Sequence, residues 1–252
     1  MIKFLRLKPF LFGNGGQKQT IAKNTLWLTG GEIISRFLKL CLVVFAARIL
    51  GVEGYGRFSF AFSVCSLFVL LADLGLPSIV TRELVKNKKN EAHFGAIVSL
   101  KAALSAASLG LMWLASFVVS QDPVVGKAVR ILSFYILIDS VDMIIYSFCR
   151  ARQQMQYEAL ARTFEVFLIV LAGFFILFKC PDPLALSWAH VGASAFPLAI
   201  LLFIFHKRIL PLKPSFDVFL WKRYLLLAWP IGLSAVLARV YGTIDTVFML
   251  SL

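Results

Sequence analysis

Seven apolar runs, each close to the length a helix needs to cross a hydrocarbon layer, dominate this sequence. They lie near Leu26–Leu50, Phe58–Val80, Phe94–Val119, Val129–Cys149, Leu160–Phe178, Leu184–Phe205 and Leu225–Leu252. About 20 mostly apolar residues carry a helix across the bilayer core. The runs do not alternate as strands do, and an open sheet edge in lipid would leave backbone groups without partners. The reading is an all-α membrane protein, a polytopic helical bundle of about seven transmembrane helices. Composition agrees. Only 15% of the 252 residues are charged and 60% are hydrophobic, whereas a soluble domain carries about 25% charged residues.

The net charge of +13 would suggest nucleic acid in a soluble chain. Here the basic residues cluster between apolar runs. The tail (Lys3, Arg6, Lys8, Lys18, Lys23), the second connection (Arg82, Lys86, Lys88, Lys89), the fourth (Arg150, Arg152, Arg162) and the sixth (Lys207, Arg208, Lys213, Lys222, Arg223) hold seventeen. The intervening connections hold five: Arg48, Arg57, Lys127, Arg130 and Lys179. Positive charge stays on the cytoplasmic side, so the amino terminus and the even connections are placed there and nucleic acid is not expected as a partner. The other connections are short turns, Gly51–Gly56, Gln121–Pro123 and Cys180–Pro183. Residues 1–24 read as a basic cytoplasmic tail, not a cleaved signal, because they hold no continuous apolar core.

Ionisable residues inside the spans carry most of the information. Glu32, Arg36 and Lys39, spaced by four and three, share one face of the first span. Asp73, Lys101, Asp139, Asp142, Glu165, His190, Arg239 and Asp245 follow in later spans. One such group at a helix centre costs about 2.5–3.5 kcal/mol. The set therefore calls for mutual pairing or a watery interior, with Lys101 and Glu165 read as snorkelling from helix ends and His190 as a packing residue. Pro77, Pro197 and Pro230 lie within or near the ends of spans, where they can kink a helix.

The chemistry that is missing narrows the function. Cys41, Cys65, Cys149 and Cys180 are widely spaced, which supports neither a disulfide framework nor a metal site. The sequence contains no GxxxxGK[ST], HExxH or GxSxG, so no catalytic residues are assigned and an enzyme is not expected.

Asn24-Thr25-Leu26-Trp27 followed by Arg36, then Ala47-Arg48-Ile49-Leu50-Gly51-Val52-Glu53-Gly54-Tyr55-Gly56-Arg57-Phe58, resembles the opening of the polysaccharide biosynthesis (O-antigen flippase) family. Asp73-Leu74-Gly75-Leu76-Pro77 with Thr81-Arg82-Glu83 is similar to its next signature, and Tyr241-Gly242-Thr243-Ile244-Asp245 to its seventh-helix pattern. The family belongs to the multidrug/oligosaccharidyl-lipid/polysaccharide flippase superfamily. The resemblance implies two bundles of six or more helices around a cavity in the inner membrane, moving a polyprenyl-pyrophosphate-linked oligosaccharide outward. It implies no bound cofactor beyond a coupling Na+ or H+. Partners would be the lipid-linked oligosaccharide, membrane lipids and glycan-assembly enzymes. Arg36, Lys39 and Arg239, with Glu32, are the candidates for the pyrophosphate-sugar cavity, since guanidinium groups bind phosphate bidentately. Asp73, Asp139, Asp142 and Asp245 are the candidates for cation coupling. By this reading residues 25–210 form the first bundle, 211–252 form a cytoplasmic linker and the first helix of a second bundle, and the chain represents the amino-terminal half of such a protein. The alternatives are a cation-coupled multidrug exporter of the same superfamily and a non-transporting scaffold for glycan assembly.

Overall fold

The computed structural model describes residues 17–86, 93–119, 121–208 and 215–250; the side chains of residues 17, 18, 206, 208, 236 and 238–250 lie outside that description. The basic-tail residues Lys3, Arg6 and Lys8, with Lys88, Lys89 and Lys213 of the expected cytoplasmic connections, also lie outside it. Seven helical elements are present among the described residues: α1 (Gln17–Asp73), α2 (Leu76–Lys86), α3 (Phe94–Ala115), α4 (Pro123–Ala151), α5 (Met155–Lys179), α6 (Pro183–Arg208) and α7 (Val218–Leu250). Four helical segments among them are long and apolar enough to cross a membrane: Gln19–Lys86, Phe94–Ala115, Met155–Lys179 and Pro183–Phe205. The chain is a multi-pass helical membrane bundle.

The first two expected spans are the arms of α1, and they meet at a single residue. Gly51 has φ 71° and ψ 178°, a combination open essentially to glycine alone. Sequence reading makes Gly51–Gly56 a turn; the structure confines the break to Gly51 and resumes the helix at once. The second expected span, Phe58–Val80, is likewise corrected. It stops at Asp73, because Leu74 (φ 40°) and Gly75 (φ 76°) both take positive φ, which ends a helix. The short α2 then starts on a new axis, with Pro77 in its first turn, where a missing N–H costs nothing. Its buried residues Leu76, Ile79, Val80, Glu83 and Leu84 form one stripe, and Thr81 ties it to α4 through a hydrogen bond to the Ser147 carbonyl (3.2 Å).

Asp122 starts α4 by accepting the Val124 N–H at 2.8 Å, with Pro123 as first helical residue. Its other carboxylate oxygen holds Arg57 of α1 at 2.7 Å, and Arg57 also reaches Glu53 at 2.9 Å. The Val124 N–H, then the Arg57 guanidinium, hold the Asp122 carboxyl below its ordinary value. At the opposite end, Gln153 (φ 59°) makes the tight turn between α4 and α5. Asn24 of α1 donates to the Gln153 carbonyl (3.3 Å) and to its side-chain oxygen (3.4 Å).

The buried apolar residues fall into two clusters. One gathers Leu42, Ala46, Phe58 and Cys65 of α1 with Val125–Ile136 of α4, Val166–Leu177 of α5 and Leu186 of α6. The other gathers Leu76–Leu84 of α2 with Phe94–Leu100 of α3, Ile144–Phe148 of α4, Phe205 of α6, and Tyr224 and Ala228 of α7. Outward-facing side chains are also apolar: Phe37 is 65% exposed, Phe178 72% and Phe203 60%. A water-facing protein does not carry such a surface around its whole girth; lipid accounts for it. The four cysteines are free.

Candidate functional site

Between the two apolar clusters runs a polar layer, and its existence follows from where each helix changes character. On α4 the first cluster ends at Ile136 and the second begins at Ile144; Asp139, Ser140 and Asp142 occupy the gap. On α3, Lys101 and Ser105 lie in the same interval. Ser105 and Ser140 share a hydrogen bond of 3.0 Å, and Lys101 reaches the last turn of α1. There its ammonium donates to the Ala72 carbonyl at 2.9 Å and pairs with the Asp73 carboxylate. Lys101 is 2% exposed and Asp73 23%. Lys101 therefore does not snorkel, contrary to the sequence reading: it is a core residue whose charge is met by Asp73. The same correction applies to Glu165, which is buried in α5.

Asp139 and Asp142 come together, as their spacing predicts, and Glu165 joins them from α5 close enough for the carboxylates to act on one another. One oxygen each of Asp142 and Glu165 is buried without a hydrogen-bond partner. An unmatched carboxylate oxygen in a low-dielectric interior is costly and well suited to taking up a cation or proton. Among the described residues no group of three or more His, Cys, Asp or Glu side chains is arranged to hold a metal ion. Arg162 and Lys39 also act on Glu165, so these carboxylates do not stand in a purely negative surrounding.

The second constellation lies between α1 and α5. Arg36 Nε donates to Glu32 at 2.8 Å, and Arg162 of α5 approaches the other Glu32 oxygen at 3.8 Å. One turn away, Arg150 of α4 makes a forked pair with Glu158 of α5, through Nε at 2.8 Å and through Nη2. These five side chains, with Leu28, Thr29, Gly31, Ile33 and Ala159, line an open cleft of about 470 Å³. Three guanidinium groups face two carboxylates, so the cleft is left with net positive charge. Arg36 is 79% exposed on its side chain, so its guanidinium is open beyond its bond to Glu32. Lys39 sits one turn further along α1, at a second and smaller pocket.

Of the residues singled out from sequence, Glu32 and Arg36 meet in the cleft, Lys39 lies beside it, and Asp139 and Asp142 meet in the polar layer. Asp73 is paired with Lys101, and both act on Asp139, so this pair borders the same polar layer. The side chains of Arg239 and Asp245 lie outside the described residues. Sequence reasoning missed Arg150, Glu158 and Arg162 as site residues, and read Glu165 as snorkelling. The first and third were counted only as orientation signals. A signal was present, since Glu158, Arg162 and Glu165 are spaced by four and three, the same one-faced stripe that marked Glu32, Arg36 and Lys39.

A family model described as polysaccharide biosynthesis protein matches residues 21–252. The chain belongs to that family. Its fold is also that of solved transporters. A multidrug resistance MATE family transporter of the MOP superfamily, in an outward-facing conformation, superposes with a TM-score of 0.72 at 15% identity, covering 96% of this chain and 57% of that one. A MOP superfamily transporter from Pyrococcus furiosus, whose reversed binding-pocket polarity is taken to suggest a different function, gives the same values. No curated protein matches significantly. The chain thus spans 57% of the length of these transporters, and at such identity the likeness is one of fold. In this chain the motif residues Ala47–Phe58 bracket the Gly51 break and Asp73–Pro77 bracket the second. Both runs sit where the backbone leaves helical geometry.

Proposed function

We propose that this chain is part of an exporter that moves a polyprenyl-pyrophosphate-linked oligosaccharide across the inner membrane, amino terminus cytoplasmic, without acting as an enzyme. Residues 25–210 serve as its first bundle and 211–252 as the linker and opening helix of a second. The observation that carries this reading is the guanidinium-rich cleft between α1 and α5. A pyrophosphate is too polar to cross hydrocarbon unaided. A cleft whose arginines are held by Glu32 and Glu158, yet outnumber them, offers charge-assisted and bidentate hydrogen bonds without leaving bare cations in the membrane. Arg36, Lys39 and Arg162 would meet the anion, with Arg239 joining from the second bundle. Asp139 and Asp142, with Glu165 added to them, would take up the coupling proton or sodium ion. Asp245 keeps the same proposed role, whereas Asp73 acts by holding Lys101.

Proteoliposomes loaded with a fluorescent polyprenyl-pyrophosphate-linked sugar test the proposal. Translocation is expected to fall by more than tenfold in Arg36→Ala and Arg162→Ala, and undiminished translocation in both refutes the anion site. The multidrug alternative draws support from the carboxylate cluster alone. Export of a lipophilic cation that survives Arg36→Ala but not Asp142→Asn would favour it.

A further inference from the structure

The smaller pocket lies between the two arms of α1. Its residues come from one face of each arm: Lys39, Leu42, Val43 and Ala46 from the first, Tyr55, Phe58, Ser59, Phe62 and Ser63 from the second. Tyr135, Ile169, Leu186 and His190 of α4–α6 close its floor. Three of its rings form a box around His190. The centroids of Phe58, Tyr135 and Phe62 lie 5.2, 5.9 and 6.2 Å from the imidazole, and Phe58 and Phe62 stand 6.1 Å apart.

The polar complement of this box is specific. His190 Nδ1 lies 2.9 Å from the Leu186 carbonyl. A carbonyl only accepts, so Nδ1 carries the proton and a neutral imidazole offers Nε2 as an acceptor. Ser59 and Ser63 bring hydroxyls and Lys39 an ammonium. Lys39 and Ser63 are exposed and Ser59 is half-buried, whereas Phe58, Tyr135 and His190 are buried, so the polar groups sit at the open side of the pocket. The lining contains no carboxylate, and with Lys39 present it repels a cationic aromatic ligand. At about 220 Å³ the pocket is smaller than the roughly 300–1,000 Å³ sites that enclose drug-sized ligands, and so has room for one ring.

A ligand fitting these constraints has an apolar face to lie on aromatic rings, hydroxyls at its edge and an anionic substituent. Arg36 of the cleft and Lys39 of the pocket are three residues apart on one helix face, a rise of about 4.5 Å. We infer that the pocket is a monosaccharide subsite, taking the pyranose ring next to the pyrophosphate on the aromatic box while the phosphates rest at Arg36 and Lys39. This rests on the exporter reading above and adds to it where the sugar is held.

Binding to the purified chain in lipid nanodiscs, measured by calorimetry, tests the subsite with two kinds of probe. One is citronellyl pyrophosphate; the other is its pyrophosphoryl-linked glucose, galactose and N-acetylglucosamine derivatives. At least one sugar derivative is expected to bind about three- to tenfold more tightly than the bare pyrophosphate, the scale of one aromatic stacking contact. That advantage should vanish in Ser59→Leu, which fills the mouth, and in Phe62→Ala, which removes one wall. Melting curves establish that both variants fold. Bare pyrophosphate binding with no advantage for any sugar overturns the subsite and leaves the exporter reading standing. So does an advantage that persists in both variants. Failure of every probe to bind overturns the exporter reading, and the subsite with it.

Discussion

Asp73→Ala measures whether the Asp73–Lys101 pair is architecture or machinery. The substitution leaves a lysine ammonium that is 2% exposed with the Ala72 carbonyl at 2.9 Å as its described acceptor. Stranding one partner of a buried ion pair costs about 3–5 kcal/mol. Asp73 is 23% exposed, so water can follow into the space it vacates, and the lower end, about 3 kcal/mol, is expected. Asp73→Asn should cost about half as much, since an amide oxygen still accepts one hydrogen bond from the ammonium. Lys101→Met should cost less than Asp73→Ala, because the carboxylate left behind reaches solvent. The double variant Asp73→Ala/Lys101→Met should recover to within about 1 kcal/mol of the parent, since it leaves neither charge of the pair stranded. A double-mutant cycle by chemical unfolding in mixed micelles would read a coupling of about 2–3 kcal/mol. Translocation by the double variant should return with its stability. Two results refute this reasoning: additive losses, or a double variant that is stable yet inert. The second would restore Asp73 to the coupling carboxylates.

Gly51→Ala meets no atom within 4 Å, so its whole cost is backbone strain, about 1–3 kcal/mol. A melting temperature equal to the parent's would show that the arms of α1 can meet in another conformation. Gly232→Val acts oppositely, through crowding. Even a Cβ there would lie 3.0 Å from the carbonyl carbon and oxygen of Leu74, so separation of α7 from the α1–α2 corner and a loss of about 1–3 kcal/mol are expected, read by the same unfolding assay. For Asp122 the sign is that of a depressed acid. Its folded-state value lies below the ordinary 3.8, so its contribution to stability is complete above that value and is lost as pH falls through the lower one. Unfolding midpoints of the parent and Asp122→Asn should differ at pH 7, keep that difference down to about pH 4, and converge only as pH falls through the lowered folded-state value; a constant difference would contradict the assignment.

The parts of this fold that were legible in sequence are those with a short period or a hard length limit. The first two runs became the arms of α1 and the other five became α3 to α7, because the bilayer fixes the length and no lipid-exposed alternative satisfies the backbone. The Glu32–Arg36 pair was equally readable, being a contact between neighbouring turns of one helix. The breaks were half-readable. Gly51 and Gly75 were visible as glycines, but only the positive φ at Leu74 and Gly75 shows that the second span ends early and a separate α2 begins. Pairing across helices was not readable at all. Lys101 lies 28 residues from Asp73 and looked like a lysine reaching for the interface, because from sequence alone a charge near a helix end is ambiguous between snorkelling and burial. The arginines of the fourth connection were misjudged for a related reason: the positive-inside rule assigns every loop arginine one role. Arg150 and Arg162 satisfy that rule in sequence, and each also faces a glutamate across the cleft. The two roles are compatible because both follow from one physical requirement. A charge that cannot enter hydrocarbon must remain at its edge, and the edge is where a polar head group first meets the protein.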